Sequence, residues 1–201
     1  MEKKNKKNIW FIVGIILAVV GVIIILSAIY MNFKGKLEND KMISNFEKKL
    51  EQVKDNNEKV EIKEQQDVIE EGTIGIMQIP KIGLKVAVGE GTDMETLKYA
   101  VGHFKDTALP GELGNFAVAG HRSYTYNEFF NRLDEVTTGD KILVKTLKGT
   151  FTYEVTGTEV VEPTQVEVLN KTDNATVTLV TCTPIRTATH RLIIKGVLVN
   201  N

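Results

Sequence analysis

The sequence predicts a mainly β domain, folded as a closed or nearly closed barrel with short helices, behind an N-terminal transmembrane helix and a charged stalk. Three observations predict it. Residues 9–30 carry no charge. Residues 31–71 are rich in Lys, Glu, Asp and Asn and contain no Pro. From Gly72 onward, short β-branched runs alternate with Gly, Pro and Thr turn signals. Roughly seven short strands in about 130 residues fit a barrel better than a βαβ sheet.

The apolar run 9–30 would span about 33 Å as a helix, enough for one membrane crossing. Lys3, Lys4, Lys6 and Lys7 precede it, so the basic tail 1–8 is expected in the cytoplasm, with Lys34 and Lys36 a weaker opposing signal. A cleaved signal peptide would have a shorter apolar region ending at an Ala-x-Ala-like site, and none is present. Residues 9–30 therefore read as an uncleaved anchor, with everything after Tyr30 outside the cell. In the stalk 31–71, Ile43, Phe46, Leu50 and Val53 recur at helical spacing. The folded domain is expected over 72–201. Its strands are predicted at Ile74–Ile79, Leu84–Val88, Phe116–His121, Lys141–Lys145, Phe151–Val161, Thr176–Cys182 and Leu192–Val199. Short helices are predicted near Met94–Tyr99 and Glu128–Leu133.

Composition narrows the function. With 201 residues, 42% hydrophobic and 25% charged, the chain can bury one sizeable core. A net charge of −1 gives no basic field to recommend nucleic acid as a partner. The single cysteine, Cys182, cannot form an intramolecular disulfide, and a lone thiol outside the cell needs a partner or a chemical reason.

Three residues supply that chemistry when taken together. Cys182 closes the run Thr178-Leu179-Val180-Thr181-Cys182-Thr183-Pro184, where Thr178, Val180 and Cys182 share one strand face and Pro184 stops the strand. Arg191 opens the next β-run, so an antiparallel hairpin would set a guanidinium beside the thiol. His121 ends the small-residue run Asn115-Phe116-Ala117-Val118-Ala119-Gly120-His121, delivering an imidazole to a strand end. Singly, each has a blander reading: a hydrogen-bonded histidine, a buried small thiol, a solvated arginine. His103 and His190 read as structural. One Cys and three scattered His do not make a structural zinc site, and no phosphate-cradling glycine loop is present, so no metal or cofactor is expected. Papain-like and caspase-like signatures are absent too.

These segments resemble the sortases, cysteine transpeptidases on the outside of Gram-positive cells. The resemblance rests on Val118-Ala119-Gly120-His121-Arg122, Thr178 to Pro184, and Thr189-His190-Arg191-Leu192-Ile193-Ile194-Lys195-Gly196, and extends through Ile79-Pro80-Lys81-Ile82 and Leu109-Pro110-Gly111-Glu112. It implies the family's eight-stranded β-barrel, one strand more than the pattern shows, with His121, Cys182 and Arg191 catalytic. The implied partners are secreted proteins carrying a C-terminal Leu-Pro-x-Thr-Gly-like sorting signal, an amine on a cell-wall precursor, and the membrane. Thr-Cys-Thr-Pro and Thr-His-Arg-Leu look like pilus-building class C enzymes. The proline-free residues 31–71 and the stop at Asn201 point instead to a lidless enzyme similar to class D or class A, and the subclass stays open. Two other classes stay open as well: a non-catalytic tethered barrel that binds peptide or cell wall, and a hydrolase that releases its substrate.

Overall fold

The computed structural model describes residues 3–55, 72–122 and 129–200. By contacts the chain forms two compact units, Met1–Lys34 and Gly35–Asn201. Helix α1 (Lys3–Asp55) is long and apolar enough near its start to cross a membrane. In the first unit its large side chains are bare: Trp10 is 75% and Leu17 66% exposed. Such a surface calls for lipid.

The second unit is a closed barrel of β1 (Thr73–Ile79), β2 (Leu84–Glu90), β3 (Val101–His103), β4 (Gly114–Ala119), β5 (Lys141–Thr146), β6 (Gly149–Val161), β7 (Ala175–Thr183) and β8 (His190–Asn200). Around the barrel the order is β1-β2-β3-β4-β7-β8-β6-β5. Pairs β2–β3 and β4–β7 are parallel and the others antiparallel. Seven strands match the predicted runs to within a few residues at each end. The eighth is β3, which is three residues long with a glycine at its centre and shows no alternation to read.

Local chemistry explains the connections. Pro80 ends β1 in a 3-10 turn closed by left-handed Gly83, whose N–H donates to the Pro80 carbonyl at 3.0 Å. Asp93 caps the short helix α2 (Met94–Leu97) by accepting from the Glu95 and Thr96 N–H groups, both at 3.0 Å, and these bonds, Thr96's first, hold its carboxyl below the usual range. Leu147–Lys148 joins β5 to β6 in a two-residue hairpin. The helix expected near Glu128–Leu133 is not formed over the described part, 129–133. Residues 129–132 are turn, and a 3-10 turn at Leu133–Glu135 follows, overlapping the predicted span only at Leu133; Glu128 itself lies outside the described residues.

The interior is filled by alternating side chains, including Met77, Val86, Phe116, Val118, Val144, Tyr153, Leu179 and Ile194. Burial pushes the Tyr153 phenol up to about 12, and its oxygen accepts the Gly111 N–H at 2.8 Å, tying the Leu-Pro-Gly-Glu segment to the core. Gly111 is required there. Its φ is +86°, and a Cβ would sit 2.1 Å from the Phe151 ring.

The charged segment after Gly35 is not a bare stalk. Ile43 and Phe46 of α1 are buried against Ile76, Ala87 and Ala100 on the outer face of β1, β2 and the chain before β3, with Met42 and Leu50 packed alongside. Asn39 donates to the Tyr99 carbonyl at 2.7 Å, and Glu47 pairs with Lys85 at 2.8 Å. β1 and β2 are therefore covered on both faces, which is why they are almost continuously apolar. Phe46 is only 2% exposed. Phe46→Ala should lower the unfolding free energy of residues 31–201 by about 3–5 kcal/mol in urea titration. A loss under about 1 kcal/mol would put the helix outside the cooperative unit.

Candidate active site

Strand parity sets the first two side chains. Val177 and Leu179 of β7 point into the barrel core, so Thr178, Val180 and Cys182 face outward. Cys182 is a half-buried free thiol, and its register partner on β8 is Arg191. Directly opposed residues on one sheet face carry Cβ atoms about 4.5–5.5 Å apart. The hairpin inferred from sequence is thus formed, with Pro184–Thr189 as its loop. That loop is tight: the Ala188 N–H donates to the Pro184 carbonyl at 2.9 Å, and Arg186 and Ala188 adopt φ of +80° and +52°. Arg191 Nη1 donates to the Ala188 and His190 carbonyls at 3.1 and 3.0 Å, so the loop also orients the guanidinium. Its Nε and Nη2 N–H groups have no partner among the described residues.

His121 follows the strand on the other flank of β7. Strand β4 runs parallel to β7 in the register Phe116↔Val177 to Ala119↔Val180. The zip continues one step further, where the Gly120 N–H donates to the Val180 carbonyl at 3.1 Å and Thr181 Oγ1 donates to the Gly120 carbonyl at 2.7 Å. Continued by one more step, that register would set His121 opposite Cys182. The sequence reading ended β4 on His121, whereas the strand ends at Ala119 and His121 lies in the loop beyond it. The reason is local. The Phe130 N–H donates to the His121 carbonyl at 3.2 Å, drawing the chain off the sheet, and the Phe130 ring packs so closely on Gly120 that a Cβ there would lie 2.5 Å from it.

Further bonds hold the two parallel strands and the β6–β7 connection. Thr178 Oγ1 donates to Asn115 Oδ1 at 2.8 Å, and Asn115 Nδ2 donates to the Val168 and Asn170 carbonyls at 3.0 and 3.3 Å. The side chains of the remaining histidines have other partners. His103 is buried, with Nδ1 2.9 Å from Glu90 Oε2 and Nε2 3.1 Å from the Ala108 carbonyl. His190 is a surface residue paired with Glu162 at 3.1 Å. Sequence reasoning passed over Arg122, whose side chain is only 7% exposed. It sits in a loop, where periodicity gives no burial signal; the available clue was a cation immediately after His121.

Comparison with known proteins identifies the group to which this site belongs. The family model described as a sortase domain matches residues 77–199. The chain belongs to the sortase family. It is 34% identical over 126 residues to sortase D of Bacillus subtilis, covering 61% of this chain and 62% of that protein's length. It is 26% identical to sortase A of Listeria monocytogenes over 92% of this chain and 90% of the relative. Among solved structures, a Clostridium perfringens sortase D5 transpeptidase superposes with a TM-score of 0.69 at 34% identity, covering 82% of this chain and all of that one. Sortases are cell-wall transpeptidases that act through a cysteine, and the closed eight-stranded barrel seen in this sortase is the family's fold.

Proposed function

We propose that this sortase cleaves a Leu-Pro-x-Thr-Gly-like signal on secreted proteins and transfers the remaining protein to a cell-wall amine. The observation that carries the reading is the registered pair Cys182↔Arg191 at the end of β7; His121, two residues past the end of the neighbouring strand β4, supports it. Cys182 gives its thiol proton to His121, and Sγ attacks the Thr carbonyl carbon of the signal. As the tetrahedral intermediate collapses, the carbon–nitrogen bond breaks, His121 gives a proton to the departing amine, and a thioester remains. An incoming amine attacks the thioester and loses its proton to His121, which restores the thiol as the new amide forms. Arg191 donates to the oxyanion in both steps. Similarity to two sortase D relatives supports class D.

The test is product identity. The protein is incubated with Leu-Pro-x-Thr-x peptides, with and without an added amine, and the products are weighed. Amine-joined product supports transfer, and hydrolysed product alone in the presence of excess amine contradicts it.

We also propose that residues 1–8 are cytoplasmic, 9–30 span the membrane and the barrel is outside, on the strength of the lysine cluster before the apolar run. Protease added to intact cells stripped of their wall should digest residues 31–201 and spare Lys3–Lys7. Removing residues 1–30 should leave a soluble, active protein. Protection of the barrel in intact cells contradicts the orientation.

A further inference from the structure

We propose that Arg122 is a positioning residue, a buried guanidinium that locks the residue after Cys182 to the loop carrying His121. The proposal rests on the reading of His121 and Cys182 as the reacting pair.

Past Gly120, β4 and β7 share no further ladder bond: Ala119↔Val180 is the last registered pair, and Thr181 Oγ1 to the Gly120 carbonyl is the last side-chain link on that line. His121 therefore leaves the sheet at the level where its spacing from Cys182 matters. Arg122, the next residue, bridges the gap. Its Nη1 donates to Thr183 Oγ1 at 3.0 Å, its Nε to the Asn131 carbonyl at 3.2 Å, and its Nη2 meets Asp134 Oδ2 at 2.7 Å. Thr183 directly follows Cys182, while Asn131 and Asp134 belong to the turn whose Phe130 already holds the His121 carbonyl. One side chain thus fixes the His121 loop, the Cys182 strand end and the 129–135 turn to one another.

The energetics favour geometry over stability as the reason for an arginine there. Its side chain is 7% exposed, whereas the side chain of its counter-charge, Asp134, is 55% exposed, so a buried cation faces a well-solvated anion. Burying a charge in that way adds little net stability, and an apolar residue of similar volume would serve a core equally well. A planar fork that donates in three fixed directions is what a guanidinium supplies, and a lysine ammonium does not reproduce it.

The test uses the full-length protein in detergent, with the best-processed Leu-Pro-x-Thr-x peptide and an amine acceptor. Arg122→Lys is expected to keep KM within about twofold while kcat falls about 30- to 100-fold, the split of a lost transition-state alignment. Thr183→Val removes the Oγ1 acceptor without changing side-chain volume, and should cost about tenfold in kcat. The double variant Arg122→Lys with Thr183→Val should be no slower than Arg122→Lys alone, because both remove the same link. Alkylation of Cys182 by iodoacetamide should stay within about threefold of the parent in each variant, since the thiol itself is untouched. Multiplicative losses in the double variant, or Arg122→Lys within about threefold of the parent in kcat, overturn the proposal. If Arg122→Lys does not fold, Thr183→Val decides: parent-like kcat overturns the link. His121→Ala and Cys182→Ala run in parallel. Activity in either of these means that the reading of the reacting pair has failed, whereas their inactivity beside a parent-like Arg122→Lys means that the positioning role alone has failed.

Discussion

Replacing Cys182 with alanine should abolish both cleavage and transfer. The chain has no other thiol, and the flanking hydroxyls are weaker nucleophiles already engaged: Thr181 donates to the Gly120 carbonyl, and Thr183 accepts from Arg122. The loss should exceed about 10³-fold in kcat/KM and reach the detection limit, because the residues of a nucleophilic site act as a unit. The fold should be unaffected. Cys182 is half-buried on β7 and is not among the side chains that form the barrel core. Mass analysis of products after long incubation checks this, with far-UV circular dichroism as the control for folding. Cleavage that survives in the alanine variant would refute the nucleophile assignment.

Arg191→Lys should lose roughly 2–4 kcal/mol of transition-state stabilisation, or about 10²–10³ in kcat/KM, although the charge is kept. The geometry gives the reason. One guanidinium nitrogen, Nη1, is spent on the carbonyls of Ala188 in the hairpin loop and His190 at the start of β8, which leaves Nε and Nη2 to donate on the strand opposite Cys182. A lysine has a single nitrogen on a different reach and cannot hold the loop carbonyls and an oxyanion together. Steady-state kinetics with peptide and amine measures the loss, and the alkylation rate of Cys182 locates it. A lysine variant within about threefold of the parent sinks the oxyanion role. A large fall in alkylation rate would instead reassign Arg191 to supporting the thiolate.

How much of this could be read from residues alone differs from element to element. The long runs β5 to β8 were legible because their apolar residues alternate or cluster between Gly and Pro signals, and the Cys182↔Arg191 pairing followed from parity and a short loop. Strand β3 was not, since Val-Gly-His is too short to carry a period and is held as a strand by neighbours far away in sequence. The docking of α1 residues such as Phe46 was half visible. The stripe Ile43, Phe46, Leu50 was plain, but its partner was announced only by β1 and β2 being apolar on both faces, a pattern equally suited to other coverings. The end of β4 was misjudged by two residues because the Phe130 bond to His121 comes from a turn that no local pattern reveals. Arg122 was missed for the same reason: its three partners are brought together only by the closed barrel and the turn after it.

The covalent step is the centre of the proposed chemistry, and intact-protein mass measurement reaches it directly. Full-length protein mixed with a processed Leu-Pro-x-Thr-x peptide, without amine, and quenched in acid should gain the mass of the peptide's N-terminal fragment through Thr, carried on the segment containing Cys182. Hydroxylamine should remove that mass, as it does from a thioester. Steady cleavage of the peptide while the protein never carries the fragment, or a fragment attached anywhere other than Cys182, would contradict it.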